Sequence, residues 1–408
     1  MGGYWNSIVK ERFLILALSL CWLLAGRSGA EWVRHVIDDS SRGADGVRAA
    51  DVNGDGYLDL TTGWEEGGII RVTINPGPAK VKGKWPAVTV GKVASPEDAV
   101  FVDLDGDGRQ DVVSSCEGGN RTVFVHWAPS GKSNYLEEAA WKTVAFPATV
   151  KKQSWMYAVP MDVDGVNGPD LVMGSKGRNG SVGWLRAPKD PRLVSDWTFH
   201  RLYDAGWIMT IDAHDVDGDG DADLVVSDRF GKSAGVKWLE NPGVEGVGEG
   251  RTWKEHPIGS KGKEVMFLQV ADLDADGLED VICTNRNGEM EWFRRLEAGG
   301  LKWETHAFRL PFGLPHGKSL AVGDINLDGK VDVVSTNRGQ EPARCVAWQT
   351  WSDSPGDKNW VSTDIGGTTG AKFDLIELVD LDGDGDLDVI TCEEVANLGV
   401  FWYENPLR

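Results

Sequence analysis

The chain has 408 residues, of which 42 are basic and 63 acidic, giving a net charge of -21 at neutral pH. That balance excludes nucleic acid, whose phosphates demand a basic surface, and disfavours docking on an anionic membrane. The 52 glycines and dense turn signals argue for an all-β fold rather than a disordered chain.

Residues 1–30 read as an export signal. Lys10 and Arg12 form a basic start, Phe13 to Ala25 an apolar run, and Ser28-Gly29-Ala30 the small-residue pattern that signal peptidase cuts. The run is short for a bilayer span, which needs roughly 20 apolar residues. Cys21 lies in it, but Leu20 stands where a lipoprotein signal has a small residue. Removing Lys10, Arg12, Arg27 and Glu11 leaves 39 basic and 62 acidic residues, a net charge of -23. The expected location is secreted, periplasmic or cell-surface, with no membrane insertion after cleavage. Of the remaining cysteines, Cys116, Cys283 and Cys392 fall at one repeat position, the end of an apolar strand. An even count with Cys345 is compatible with disulfides, but that shared position points to buried thiols.

From residue 31 to 408 one unit recurs: an apolar strand, an acidic nine-residue loop and another apolar strand. The loops begin at Asp51, Asp103, Asp162, Asp215, Asp272, Asp324 and Asp380, at spacings of 52, 59, 53, 57, 52 and 56 residues. That period suits one four-stranded propeller blade per copy. A strand of the type Trp-x-x-His starts at Trp32, with counterparts at Trp85, Trp141, Trp197, Trp253, Trp303 and Trp360. Another strand follows each loop and usually carries Trp: Trp127, Trp184, Trp238, Trp292, Trp348 and Trp402. The blade order is thus strand 1, acidic loop, strand 2, Trp-bearing strand 3 and Trp-x-x-His strand 4. A lone strand 4 opens the repeat region at Trp32, and a strand 3 ends it at Val400 to Glu404. A seven-bladed ring in which the N-terminal strand completes the last blade removes the exposed edge of a linear array. His35, His200, His256 and His306 recur three residues after the strand 4 Trp, as packing residues do.

The acidic loops carry the clearest chemistry. Hard Ca²⁺ takes six to eight oxygens, and Asp51, Asn53, Asp55 and Asp59 offer side-chain oxygens at positions 1, 3, 5 and 9, with the Tyr57 carbonyl at position 7. Gly at position 6 permits the sharp turn. The same set recurs as Asp103, Asp105, Asp107, Arg109 and Asp111, and as Asp215, Asp217, Asp219, Asp221 and Asp223. It continues as Asp272, Asp274, Asp276, Leu278 and Asp280, then Asp324, Asn326, Asp328, Lys330 and Asp332, and finally Asp380, Asp382, Asp384, Asp386 and Asp388. An EF-hand is excluded because its twelfth-position Glu is here Thr62, Ser114 or Val226, and the flanks are β-rich. The third copy, Asp162 to Asp170, has Val166 at position 5 and is expected to bind weakly or stay empty unless Asn167 compensates. About six Ca²⁺ sites are expected.

The Asp-x-Asp/Asn-x-Asp-Gly-x-x-Asp loop between β-strands resembles the FG-GAP or VCBS repeat, which builds the propeller of integrin α chains and of many exported bacterial proteins. The resemblance covers essentially residues 31–408. It implies the seven-bladed fold and calcium in the strand 1 to strand 2 loops. It does not imply one function, since members include adhesion modules, lectins and domains of sugar-cleaving or sugar-dehydrating enzymes.

A ligand is expected on the face opposite those loops, around the central funnel. Trp64, Trp155 and Trp207 fall at loop ends of that face, where an aromatic ring can stack on a sugar or anchor a protein. Arg178, Arg229, Arg286, Lys318 and Arg338 come from blades 3 to 6, and Glu65, Glu66, Glu97, Glu117, Glu393 and Glu394 from blades 7, 1 and 2. The cationic arc suits an anionic ligand such as a uronate, unless the two arcs pair with each other. The first functional reading is a binding module for a glycan or an extracellular protein; no nucleophile motif, His-rich metal cluster or nucleotide loop is present. The second is a carbohydrate lyase or dehydratase, in which His316, Tyr157, Lys318 and Arg286 supply a base and a cationic stabiliser. It requires those residues to converge on one pocket. A cell-surface spacer is the third.

Overall fold

The computed structural model describes residues 31–131, 134–311, 316–339, 344–357 and 359–408; the export signal expected at 1–30 lies outside them. Twenty-eight strands form seven antiparallel four-stranded sheets. The innermost strands are β2 (Ala44–Ala50), β6 (Pro96–Val102), β10 (Ser154–Met161), β14 (Ile208–His214), β18 (Val265–Ala271), β22 (Gly317–Gly323) and β26 (Phe373–Val379). Each packs on the innermost strand of the next blade, and β2 against β26 closes the ring.

The acidic loops set where every second strand begins. β3 (Asp59–Trp64), β7 (Asp111–Cys116), β11 (Asp170–Lys176), β15 (Asp223–Asp228), β19 (Asp280–Asn285), β23 (Asp332–Asn337) and β27 (Asp388–Glu393) all open on the ninth-position Asp. These strands are buried along nearly their whole length. A strand covered on both sides reads as a continuous apolar run, as Asp111-Val-Val-Ser does. Cys116, Cys283, Cys345 and Cys392 are buried thiols.

The third strands are β4 (Ile69–Thr73), β8 (Val123–Trp127), β12 (Ser181–Arg186), β16 (Gly235–Glu240), β20 (Glu289–Arg295), β24 (Val346–Thr350) and β28 (Gly399–Glu404). The outer strands are β5 (Ala87–Lys92), β9 (Lys142–Ala145), β13 (Thr198–Asp204), β17 (Lys254–Gly259), β21 (Trp303–Arg309), β25 (Val361–Asp364) and, for blade 7, β1 (Val33–Asp38). The N-terminal strand therefore completes the last blade, in a register that sets His35 opposite Trp402.

That pairing repeats. His200, His256 and His306 lie opposite Trp184, Trp238 and Trp292, and all four imidazoles lie over indoles at 4.3 to 5.0 Å between centroids. In blade 6 the partner of Trp348 is Thr363. Blades 1 and 2 place Val72 opposite Val88 and Val125 opposite Val144. Trp127 thus sits two residues beyond the place expected for a strand 3 Trp and packs under Arg192, 4.8 Å away. The Trp85, Trp141, Trp197, Trp303 and Trp360 indoles donate to carbonyls just upstream, pinning the strand 3 to strand 4 connections.

Every innermost strand shifts register against its second strand in its first half, for example between Asp45 and Arg48 and between Phe373 and Ile376. A bulge re-aims side chains, and here it turns one short stretch of each strand into the axis of the ring.

Candidate functional site

The two faces of the ring are built differently. On one, the seven acidic loops share a hydrogen-bonding plan. In six of them the sixth-position N–H donates to the first-position carboxylate, as from Gly56 to Asp51 and Gly277 to Asp272, both at 2.9 Å. The seventh-position N–H donates to the fifth-position carboxylate in the same six. The ninth-position Asp ties the loop down. Asp223 accepts from Val216 at 2.9 Å and from Asn241, beyond the third strand, at 2.7 Å. Asp59, Asp111, Asp170, Asp280 and Asp388 repeat that double bond.

These loops fit a hard cation. The carboxylates of Asp103, Asp105 and Asp107, and of Asp215, Asp217 and Asp223, each bring one oxygen within 4.8 Å of the others. Asp221 Oδ1 and Asp382 Oδ1 are buried with no hydrogen-bond partner. Burial pushes Asp59, Asp111, Asp223 and Asp388 up to about 7, against the pull of their backbone N–H bonds. Concentrated carboxylate oxygen of this kind is the donor set Ca²⁺ takes. Arg192, at 2.5 Å from Asp105, and Lys82, at 3.1 Å from Asp382, reach in from the adjacent blade.

The third loop departs from the plan as Val166 suggests. Asp162, Asp164 and Asp170 still converge, but Asn167 turns its amide to the Ala187 carbonyl at 3.1 Å, and Arg186 lies 2.6 Å from Asp164.

The opposite face is built from one repeat position. The sixth residue after each ninth-position Asp is Glu65, Glu117, Lys176, Arg229, Arg286, Arg338 or Glu394 in blades 1 to 7. In six blades its N–H donates to a carbonyl of the connection entering that blade's innermost strand: Glu65 to Gly43, Glu117 to Ser95, Arg229 to Trp207, Arg286 to Glu264, Arg338 to His316 and Glu394 to Lys372. A ring of seven charges results, acidic across blades 7, 1 and 2 and basic across blades 3 to 6. Lys176 holds the blade 3 place; Arg178 instead lines an outer groove with Arg201, Tyr203 and Lys232. Counting six from each ninth-position Asp would have selected Lys176.

The acidic half is largely neutralised from within. Lys372 pairs with Glu394 and lies 3.8 Å from Asp45 and 3.7 Å from Asp374, filling the space between three carboxylates. Lys176 pairs with Glu117 and lies 3.6 Å from Glu97. Burial and the charge of Asp374 raise Asp45 to about 7, and burial with Asp45 beside it raises Glu97 well above the carboxylate range. Glu393, fully buried, accepts the N–H groups of Ala371, Lys372, Val395 and Ala396 and is structural.

Three expectations about this face need correction. Trp64 and Trp155 are 0 and 1% exposed in the blade cores, so neither ring is open to a ligand. Trp207 is partly buried, but Lys176 Nζ lies 4.3 Å and the Arg229 guanidinium 4.5 Å from its ring, and Phe230 packs at 5.5 Å. The four residues of the lyase reading split into two pairs. His316 sits at the rim, its Nδ1 2.9 Å from the Arg286 carbonyl. Tyr157 and Lys318 lie in the axis, lining a cavity of ≈ 30 Å³ with Asp45, Met209 and Phe267. Lys318 is 2.6 Å from Asp374, and burial raises the Tyr157 phenol to about 12, which keeps it protonated and so unable to accept a proton at neutral pH. Below them a ≈ 220 Å³ cavity carries Arg48, Gln269 and Glu377. The inward aim of these residues comes from the bulges, which have no sequence mark.

The fold and loops together define a seven-bladed propeller with acidic strand 1 to strand 2 loops. The family model described as FG-GAP-like repeat matches residues 272–335 and 324–391, which hold the loops of blades 5, 6 and 7. Blades 5 to 7 thus carry FG-GAP-like repeats, and the same loop geometry recurs in blades 1, 2 and 4, consistent with such repeats around the ring. No curated protein matches it. Among solved structures it is similar to YCF48 from Cyanidioschyzon merolae, at 11% identity and a TM-score of 0.56 over 92% of this chain and 99% of that one. It is also similar to BBS1N, solved in complex with ARL6DN, at 11% identity and a TM-score of 0.52 over 92% and 97%. Both likenesses concern the fold. No helix among the described residues is long and apolar enough to cross a membrane.

Proposed function

We propose that this chain is an exported, calcium-loaded propeller that binds an extracellular protein through the face opposite its acidic loops. The observation that carries the reading is the difference between the two faces. The loop face repeats one hydrogen-bonded plan six times over, whereas the funnel face divides into an acidic half over blades 7, 1 and 2 and a basic half over blades 3 to 6. Uniform loops serve the scaffold; a face whose charge is sorted into two halves serves recognition. A protein partner fits better than a glycan because no tryptophan there offers a bare ring face for a sugar. Phe230, 38% exposed beside Arg229, is instead the aromatic and arginine pairing that anchors protein interfaces. The pairing of Lys318 with Asp374 and the separation of His316 from Tyr157 leave catalysis without a shared pocket.

A photo-reactive residue placed at position 230, and separately at position 57 on the loop face, tests this in calcium-loaded protein exposed to the native extracellular fraction. Cross-links to one protein from position 230 but not 57 are expected. Cross-links from position 57 alone, or only to polysaccharide, would overturn the reading.

A further inference from the structure

Among the described residues, the basic half of the funnel face holds more positive charge than its own carboxylates meet. Arg229, Arg286 and Arg338 each stand immediately after the second strand of blades 4, 5 and 6, so three guanidinium groups follow one another along an arc. Arg229 has a partner, Glu264, at 3.2 Å. Among the described residues, Arg286 and Arg338 form no ion pair, although acidic residues outnumber basic ones across the chain by half. Burial lowers the Arg229 guanidinium below its ordinary range, and repulsion from Arg286 and Arg338 adds to this against the pull of Glu264. Like charges held this close are stabilised by an anion laid over them.

We propose that the arc Arg229–Arg286–Arg338 is the docking track for an acidic segment of the protein partner, an extended stretch carrying several Asp or Glu side chains and an apolar residue. This rests on the reading that the funnel face binds a protein, and names the chemistry of what it binds. Three sites on consecutive blades suit a linear string of carboxylates better than one small anion. The forks of Arg286 and Arg338 can each take a carboxylate through two parallel hydrogen bonds, while Arg229, already paired with Glu264, adds its charge at the end of the arc. Phe230, its ring 4.6 Å from the Arg229 guanidinium and partly exposed, offers the apolar contact. Trp207 holds the arc's first member in place, with Lys176 and Arg229 on its ring. On the other side Lys372 and Lys318 are already committed to Asp45, Asp374 and Glu394, so a second acidic segment finds no unmet cation there.

The test uses calcium-loaded full-length protein and a fluorescent Glu-rich peptide containing Phe, with an oligogalacturonate as the competing probe, followed by polarisation. The peptide is expected to bind at low salt and to weaken at about 0.3 M salt, where the Debye length is roughly 6 Å. The double variant Arg286→Ala with Arg338→Ala is expected to lose about tenfold or more in affinity. Arg286→Lys with Arg338→Lys should keep part of the binding, and Lys189→Ala, an exposed control, all of it. Melting curves of the variants check the fold. Equal peptide binding by wild type and the double alanine variant, or none by either, would overturn the proposal. Tighter binding of the oligogalacturonate would overturn it in favour of a glycan. If the peptide fails while cross-linking from position 230 still captures a protein, only the acidic chemistry falls and the binding face stands.

Discussion

Leu327 and Ala275 occupy the fourth loop position with φ of 57° and 59°, a place filled by Gly54, Gly106, Gly165, Gly218 and Gly383 in the other five loops. A side chain in this left-handed region costs about 1 kcal/mol. Leu327→Gly removes that strain and is expected to stabilise the protein by up to about 0.5 kcal/mol, read as a raised melting temperature, the gain being reduced because Leu327, 39% exposed, gives up some burial. Glu377 carries a different strain. Burial in the axis lifts its carboxyl to about 7, only partly offset by Arg48. A carboxyl raised in the folded state contributes stability below its unfolded pKa, and this is lost as pH climbs through 7. Glu377→Gln should leave stability unchanged near pH 4 and raise it by about 1–3 kcal/mol at pH 8 in equilibrium denaturation; an effect of the same size at both pH values would refute the assignment. Residue by residue, the sequence identified the loop oxygens because their spacing is rigid. It missed that six of the seven ninth-position Asp residues also hold the end of the third strand, as Asp223 holds Asn241, because that partner lies some 18 residues away and has no fixed identity.

At the scale of the element, the third loop shows what a single position does. Val166 lies on the same turn as the fifth-position residues elsewhere and donates its N–H to Asp164, yet its side chain has no oxygen. Val166→Asp is expected to add one bound Ca²⁺ per chain, counted by titrating calcium into chelator-stripped protein; an unchanged count would mean that Asn167 or Arg186 blocks the loop. Strand order and blade period were legible because Trp, His and Asp recur in step. The register of Trp127 was not, since blade 2 replaces the stacked Trp and His with Val125 and Val144 and the nearest Trp looked like the counterpart. Nor were the bulges, which decide that Tyr157 and Lys318 reach the axis while Arg286 stays at the rim. Backbone register answers to packing between blades, and no residue type announces it.

For the whole molecule the ring and the charge belong together. Six filled loops would add twelve positive charges to a chain of net charge -21, relieving repulsion that otherwise works against compaction. Each loop that binds Ca²⁺ would, at a free concentration 100 times its Kd, add about 2.7 kcal/mol to stability. Melting followed by circular dichroism should therefore shift strongly upward from EGTA to millimolar Ca²⁺, and superimposable curves would remove calcium from the account. The closing blade is the other global control. Ile37 is fully buried on β1 in the cluster with Trp64 and Trp402, so Ile37→Ala should cost about 2–4 kcal/mol in equilibrium denaturation.

The pairing of β1 with β28 has a consequence for synthesis. His35 and Glu404 meet 2.7 Å apart across 369 positions of chain, so residues 33–38 leave the ribosome long before their partner exists. Joining segments that distant costs about 2 kcal/mol more in closure entropy than joining neighbours one blade apart. A nascent chain stalled anywhere short of Gly399 keeps both an unzipped ribbon and an open seventh wedge, and is the form that chaperones and proteases would meet first.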